Sequence, residues 1–153
     1  MKAEDLMIGD WVAITEPDDY HGYNGRVEIV NKVTQYVTVF VPSTTHDVLS
    51  DDLQPIPLTD EILEKNGFKK EEHDAIIITL KTYSLDTSNG GIVLFVKPKG
   101  GYKVMYGNMQ NMSQNELFFG DGNFVCMNCN TVHELQHILR LWKINKEITL
   151  EEE

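Results

Sequence analysis

Hydrophobic and polar residues alternate with a period of two in the first third of the chain, a pattern that predicts short β-strands. The alternation is clearest over Arg26–Val30, and a run of β-branched and aromatic residues follows over Tyr36–Val41. Another strand is expected to begin at Ile8–Val12, and a last short one lies within Leu49–Pro57. Short strands separated by turn residues predict a small β-barrel over residues 1–57 that closes its own edges.

The remainder of the chain, residues 58–153, alternates between helical and strand-like patterns. Thr59 is a favourable N-cap for a short helix, and Asn66-Gly67 supplies its C-terminal stop. Strand-forming residues then recur between turns that contain glycine. The predicted strands are Ala75–Tyr83, Gly91–Lys97, Tyr102–Tyr106, Leu117–Gly120 and Asn123–Cys126. This order predicts an antiparallel meander of four or five strands, with a polar loop over Gly107–Asn115.

Thr131–Lys143 carries the strongest helical periodicity of the chain. Thr131 and Glu134 form the pattern T-x-x-E, a capping box in which each side chain satisfies a backbone donor of the other residue. One face of the helix is apolar and consists of Val132, Leu135, Ile138, Leu139 and Trp142. His133 and His137 fall on nearly the opposite face, which is expected to face water.

These elements predict an α+β fold in two domains, residues 1–57 and residues 58–153. The first domain is the small barrel. The second contains the short helix, the antiparallel meander, and the C-terminal helix packed on the sheet through its apolar face. The connection Pro55-Ile56-Pro57 is too short to act as a flexible linker, so the two parts are expected to be closely associated.

Residues 133–137 read His-Glu-Leu-Gln-His, which matches the H-E-x-x-H pattern of zinc peptidases. A catalytic zinc site also needs a third protein ligand and an open position for water. The common downstream extension H-x-x-G-x-x-H is absent, because Ile138–Trp142 follows directly. The sequence therefore predicts no catalytic residue in this segment, and it favours a protein that is not an enzyme.

A structural zinc site is the alternative interpretation of the same segment. Cys126, Cys129, His133 and His137 have the order C-x2-C-x3-H-x3-H, and both ligand types suit zinc. Only three residues separate the second cysteine from the first histidine, so the thiolates have little chain with which to reach over the helix. The competing interpretation is a small buried thiol, a loop cysteine and two surface histidines, with no cofactor bound.

Thirteen Lys and Arg residues against 24 Asp and Glu residues give a formal net charge of −11. An acidic surface repels phosphate backbones and anionic lipids, so nucleic acids and membranes are disfavoured as partners. No apolar run approaches the roughly 18 residues that a membrane helix needs. The first residues place acids where a signal peptide carries its apolar region. The expected compartment is the cytoplasm, with both cysteines reduced.

The first strands also resemble a known fold family. Ile8–Val12, Gly22–Val27 and Tyr36–Phe40 are similar to segments of the SH3-like barrels of the KOW type. The resemblance implies an SH3-like barrel, and several KOW domains bind RNA or ribosomal and transcription proteins. Those that bind RNA present basic residues, whereas acidic residues outnumber basic ones in this stretch. The resemblance therefore supports a fold and counts against nucleic acid as the partner.

A second resemblance covers more of the chain. The stretches that carry it are Leu53–Thr59, Ile62–Phe68, Val132–Gln136 and Lys146–Ile148. They are similar to a group of uncharacterised proteins found in gut Bacteroidetes and their phages or mobile elements. The group has no assigned activity, so the resemblance identifies no catalytic residue. It implies that His-x-Leu-Gln belongs to a shared structural helix.

An aromatic surface on the barrel is the candidate binding site. Trp11, Tyr23 and Tyr36 could line a groove like those of modules that bind proline-rich peptides, although packing would use the same residues. The predicted function is a non-enzymatic protein-interaction module with an unknown protein partner, encoded by a phage or mobile element. The alternatives are a zinc protein that uses His133 and His137, and an acidic protein that mimics nucleic acid.

Overall fold

A computed structural model describes residues 1–16, 22–42, 44–74, 79–87, 90–96, 100–107 and 125–150. The chain divides into two compact units. The first unit comprises Met1–Pro57 and Thr131–Glu153, and the second comprises Leu58–Asn130. The last helix differs from the prediction, because the structure groups it with the N-terminal residues and not with the meander.

The first unit contains a five-stranded antiparallel sheet. Its strands are β1 (Trp11–Ile14), β2 (Asn24–Asn31), β3 (Tyr36–Val41), β4 (Thr44–Leu49) and β5 (Leu53–Pro55). Their order in the sheet is β4-β3-β2-β1-β5, so the last strand returns to pair with the first. The predicted succession of short strands is confirmed, since the period-two alternation places one set of side chains on each face.

The predicted closure of this sheet into a barrel is wrong for the described residues, because β4 and β5 are its two edges. A short 3-10 turn at Ser50–Asp52 carries the chain from β4 to β5. β5 then pairs with β1, with Leu53 opposite Ile14. β5 has only three residues and ends in proline, which has no backbone N–H to offer a further strand. The sheet therefore stays open between β4 and β5.

The inward side chains of this sheet form a continuous apolar core. Its buried members on the strands are Val12, Ile14, Val27, Val37, Val39, Val41, Val48 and Leu53, and Leu6 from the segment before β1 packs with them. Gly25 lies where β2 passes close to β3: a Cβ atom there would lie 2.3 Å from Val39 Cγ1 and 2.9 Å from Phe40 O. Only glycine permits this approach. A β-bulge between Val27 and Ile29 then shifts the register of β2 on β3.

The second unit begins with a short helix, α1 (Asp60–Lys65), whose N-cap Thr59 accepts a hydrogen bond from Ile62 N, as predicted. An antiparallel meander with the order β10-β9-β8-β7-β6 follows. Its strands are β6 (Lys69–Asp74), β7 (Thr79–Thr87), β8 (Gly90–Val96), β9 (Tyr102–Gly107) and β10 (Val125–Cys129). The predicted antiparallel meander is confirmed for β7 to β10, whereas β6 was not predicted. The predicted strand Leu117–Gly120 lies outside the described residues.

Strand β6 has no signal in the hydrophobic pattern. It reads Lys-Lys-Glu-Glu-His-Asp and contains no apolar residue to alternate with the polar ones. It pairs along its whole length with β7, from Lys69 opposite Ser84 to Asp74 opposite Thr79. A charged edge strand of this kind resists pairing with further chains.

The C-terminal helix, α2 (Val132–Leu141), begins with the predicted capping box: Glu134 Oε2 accepts a hydrogen bond from Thr131 N at 3.1 Å. Its buried residues are Val132, Leu135, Gln136, Ile138 and Leu139. The predicted apolar face is therefore confirmed, apart from Trp142, which is only half-buried. α2 contacts β1 within the first unit.

The fold class is α+β, as predicted, with two antiparallel sheets and few helices in the described residues. None of the helices in this part of the chain combines the length and the apolar character needed to cross a membrane.

Candidate functional site

The loop before β1 carries a buried carboxylate that binds α2. Asp10 is 0% exposed, and its Oδ2 atom accepts hydrogen bonds from Met7 N and His137 Nε2, each at 2.8 Å. Its Oδ1 atom accepts a hydrogen bond from Arg140 Nη1 at 2.7 Å. These donors offset the large cost of removing a carboxylate from water. Asp10 therefore holds the polar face of α2 against the loop.

The expectation that His137 faces water is wrong. Its side chain is 26% exposed and is bonded to Asp10. The helical spacing correctly places His137 opposite the apolar face of α2, but the loop that contains Asp10 covers this part of the opposite face. A helix pattern alone shows no such loop, because the contact joins residues 127 positions apart in sequence.

Gln136 makes a second link between α2 and the same loop. Its side chain is 5% exposed, although glutamine usually lies at the surface. Its Oε1 atom accepts a hydrogen bond from Trp11 N at 3.0 Å, and its Nε2 atom donates to Gly9 O at 2.9 Å. One amide side chain thus satisfies a backbone donor and a backbone acceptor at the start of β1.

His133 and His137 lie side by side, one turn apart on α2. Their ring centroids are 5.7 Å apart and the ring planes meet at 81°. His133 Nδ1 lies 3.1 Å from Thr131 Oγ1. Burial lowers the pKa of His133, and the neighbouring Asp10 carboxylate opposes this shift without cancelling it. The imidazole of His133 is therefore mainly uncharged at neutral pH.

Both histidines line a cleft of about 540 Å³ in the first unit, which we call the histidine cleft. The other residues that line it are Met1, Glu4, Asp5, Leu6, Met7, Lys32, Pro55 and Glu134. Three carboxylates line the cleft against Lys32 and the N-terminal ammonium group of Met1, so its wall is slightly acidic and favours cations. Glu134 caps α2 through its bond to Thr131 N, so this carboxylate already has a structural role.

Of the residues in the alternative zinc prediction, the structure places His133 and His137 together. Cys129 is buried in the second unit, and the side chain of Cys126 lies outside the described residues. In the part of the chain that the structure describes, no group of three or more His, Cys, Asp or Glu side chains is placed to hold a metal ion. Of the four predicted zinc ligands, His133 and His137 are therefore the pair that supports a metal site.

The residues of the predicted aromatic groove have different surroundings. Trp11 is 6% exposed, and its Nε1 atom donates a hydrogen bond to Ile148 O at 2.8 Å. Tyr23 and Tyr36 are 53% and 49% exposed. Trp11 lies on β1 and Tyr36 on β3, with β2 between these strands. Trp11 thus packs within the unit, while Tyr23 and Tyr36 remain open to a partner.

Three exposed apolar side chains that the sequence did not single out accompany Tyr36. We call this set the outer face, and its members are Ile29 (59% exposed), Tyr36 (49%), Phe40 (37%) and Leu49 (41%). Tyr36 lies directly opposite Leu49 across the β3–β4 pair. Residues opposite each other on paired strands project from the same side of a sheet. The sequence does contain a signal for the outer face: apolar residues occupy outward positions of strands whose inward positions are buried valines.

A hydrogen-bonded carboxylate connects α1 to the meander in the second unit. Asp60 accepts hydrogen bonds from Tyr102 Oη at 2.6 Å and from Lys81 Nζ at 2.5 Å. Burial alone would raise the pKa of Asp60, but the hydrogen bonds from Lys81 and Tyr102 outweigh burial and lower it below its ordinary value. Burial and the adjacent Asp60 raise the pKa of Tyr102, so its phenol stays protonated. This cluster has a structural role.

Arg26 and Arg140 line a second cleft of about 330 Å³ in the first unit. Arg26 forms an ion pair with Glu147, and Arg140 forms one with Asp10. Both guanidinium groups are therefore balanced by carboxylates of the chain itself.

Comparisons with protein-family models, with curated proteins and with solved structures found no significant match to this chain.

Proposed function

We propose that the first unit is a non-enzymatic protein-interaction module that binds an extended segment of a partner protein along β3 and β4. The observation that carries this proposal is the outer face, where four large apolar side chains are at least 37% exposed on adjacent strands. Single exposed apolar residues are common on protein surfaces. A group of them on one side of a sheet is typical of an interaction surface.

The register of the strands shows that these side chains are neighbours. Tyr36 pairs with Leu49 on one side and with Asn31 on the other. Ile29 lies opposite Thr38, which is two positions from Tyr36 and therefore projects from the same side of β3. Cβ atoms of directly opposite residues lie about 4.5–5.5 Å apart. The outer face thus offers apolar contacts on both sides of β3.

Strand β4 offers an edge for backbone pairing. In the described residues it pairs only with β3, and it has six residues, of which Asp47 alone carries a full charge. The other sheet edge of the first unit, β5, has three residues and ends in Pro55. Edge strands that must stay unpaired are usually short, charged or proline-containing. β4 is longer than β5, contains no proline and has a single charged residue, so an extended peptide can add to it as a further strand.

The charge of the chain narrows the class of partner. The formal net charge is −11, and the exposed acidic side chains near the outer face are Glu28 and Asp47. Arg26 lies opposite Phe40, but Glu147 balances its charge. Complementary charge speeds association and excludes acidic competitors. We expect the bound segment to alternate apolar and polar residues and to carry lysine or arginine at its ends.

A library of random peptides displayed on a carrier provides a test with a defined probe. Selected peptides are synthesised, their dissociation constants are measured, and their contacts are mapped by amide chemical shifts. Ile29→Lys combined with Tyr36→Lys is expected to weaken binding at least about tenfold, because it places charge where apolar side chains must pack. Val33→Lys is the matched control, since Val33 is 93% exposed in the turn between β2 and β3.

The proposal predicts amide shifts confined to β3, β4 and their neighbours. It is contradicted if the library yields no binding peptide, or if the selected peptides shift other residues. Equal affinity for the double variant and for the Val33→Lys control would also contradict it.

The resemblance to SH3-like barrels of the KOW type is compatible with a five-stranded sheet of this order, although the sheet is open. The proposed origin in a phage or mobile element is supported by the second sequence resemblance. Neither resemblance identifies the partner.

A further inference from the structure

We infer that His133 and His137 bind one divalent transition-metal ion, such as Zn²⁺, in the histidine cleft. This inference is independent of the proposed peptide binding, because its residues lie outside the outer face. It also involves no catalytic step. Glu134, the residue that acts as general base in zinc peptidases with this pattern, is bonded to Thr131 N in the helix cap.

The spacing of the two histidines suits chelation. Residues four apart on a helix lie on the same face, so a pair of histidines at i and i+4 can bind one ion. Here the ring centroids are 5.7 Å apart, and both rings line the same cleft. Both side chains are half-buried, which limits the number of rotamers that must be fixed on binding.

One ring nitrogen of each histidine is already held by a neighbour. Asp10 Oδ2 accepts a hydrogen bond from His137 Nε2 at 2.8 Å, which leaves Nδ1 of His137 as the metal-binding atom. Thr131 Oγ1 lies 3.1 Å from His133 Nδ1, which leaves Nε2 of His133. Metal-binding histidines nearly always have such an outer partner, because it selects the tautomer and orients the ring.

Asp10 is a particularly strong outer partner. It is 0% exposed and is fixed by Met7 N and Arg140 Nη1 as well as by His137. A carboxylate bonded to a histidine raises the basicity of the opposite ring nitrogen and so strengthens its bond to a metal ion. The sequence pattern alone gives no indication of this partner, since Asp10 lies far from the histidines along the chain.

The remaining positions around the ion would be filled by water or by exposed carboxylates. Glu4 and Asp5 line the same cleft, and oxygen ligands complete many zinc sites. The acidic wall of the cleft also attracts a cation. Because no third ligand is in place among the described residues, we expect weaker binding than at a structural zinc site with four ligands.

Titration of the untagged, metal-free protein with ZnCl₂ in a calorimeter tests the inference. The expected result is saturable binding of one zinc ion per chain with a dissociation constant in the micromolar range. His133→Ala and His137→Ala should each abolish binding over the same concentration range. His46→Ala is the matched control and should bind zinc like the wild type, because His46 lies on β4 outside the cleft.

Long-range proton–nitrogen spectra of the imidazoles identify the atoms that bind zinc. The inferred site predicts zinc-dependent shifts at His133 Nε2 and His137 Nδ1. Asp10→Asn is expected to weaken binding about 10- to 100-fold, as loss of an outer-shell partner typically does. Arg140→Gln removes the other side-chain partner of Asp10 without touching either histidine, so its affinity should remain within a few fold of the wild type.

Several outcomes would overturn the inference. These are the absence of saturable binding, undiminished binding by a folded His133→Ala variant, or coordination through Nε2 of His137. The Ile29→Lys and Tyr36→Lys double variant distinguishes the two proposals, because it should lose peptide binding and keep zinc binding.

Discussion

Gln136 occupies a position of α2 where burial alone would favour an apolar residue. Its amide is 5% exposed and reaches two backbone groups, Trp11 N and Gly9 O, at the start of β1. The adjacent Asp10 carboxylate binds His137 and Arg140 of the same helix. At the scale of single residues, polar groups thus connect α2 to the loop before β1.

Replacing Gln136 with leucine is expected to lower the free energy of unfolding by about 1–3 kcal/mol, because two buried backbone groups lose their partners. Gln136→Glu should also destabilise, since a carboxylate cannot donate to Gly9 O and brings a charge into a buried site. Urea unfolding measures both effects. Gln54→Leu on β5 is the control for loss of an exposed amide and should change stability by less than about 0.5 kcal/mol.

Asp60 makes the stability of the folded protein depend on pH. Burial raises the pKa of Asp60, but the hydrogen bonds from Lys81 and Tyr102 outweigh burial and lower this pKa in the folded protein. A carboxyl group whose pKa is lower folded than unfolded stabilises the protein above its unfolded value of about 3.9. That stabilisation is lost as the pH falls through the folded value. The difference in thermal stability between wild type and Asp60→Asn should therefore shrink as the pH falls below about 4 and vanish below the folded pKa of Asp60.

The exposed Asp51 gives a matched control for this pH effect. Asp51→Asn, measured over the same pH range, controls for the loss of one exposed carboxylate. A constant difference between wild type and Asp60→Asn across the acid range would contradict the assigned role of Asp60.

At the scale of elements, the close approach of β2 to β3 explains a glycine that the turn pattern alone would assign to a loop. Gly25 lies within β2, and an added Cβ atom would contact Val39 Cγ1 and Phe40 O at less than 3 Å. Gly22 precedes β2 and has a φ angle of +86°, with nothing within 4 Å of an added Cβ. The first glycine is needed for space, and the second for backbone conformation.

The two glycines predict different losses on replacement by alanine. Gly22→Ala should cost about 1 kcal/mol, the penalty for a non-glycine residue at positive φ. Gly25→Ala should cost at least as much as the upper end of the roughly 1–3 kcal/mol range for overpacking, because part of the clash is with backbone. Denaturant unfolding of both variants measures the difference. Equal losses would show that β2 and β3 can separate without cost.

Element prediction from the sequence succeeds where local chemistry decides the outcome. Thr59 begins α1, Thr131 and Glu134 cap α2, and the alternating runs of the first unit become strands. It fails for β6, because Lys69–Asp74 contains no apolar residue and forms a strand through its pairing with β7. It also fails for barrel closure, because the pairing of an edge strand depends on contacts that the local sequence pattern does not determine.

At the scale of the whole molecule, the first unit is discontinuous in sequence. It combines Met1–Pro57 with Thr131–Glu153, and the second unit occupies the residues between them. The pairing of Pro57 with Thr131 and the bond from Val132 N to Ile56 O bring the two segments of the first unit together. The sequence predicted that α2 packs on the meander because the two are neighbours along the chain. The structure groups α2 with Met1–Pro57, through contacts that the sequence pattern does not show.

Some features of the candidate site follow from the sequence, and others follow only from the tertiary structure. The sequence by itself determined the helical spacing of His133 and His137 and the capping role of Glu134, because both depend on residues within one or two turns. Only the tertiary structure decided that the buried Asp10 orients His137, and that apolar side chains of three strands form the outer face. The contact between Asp10 and His137 joins segments distant in sequence, and its free energy comes from burial and hydrogen bonds that exist only after folding. The outer face depends on the register of three consecutive strands, which the hydrophobic pattern does not fix.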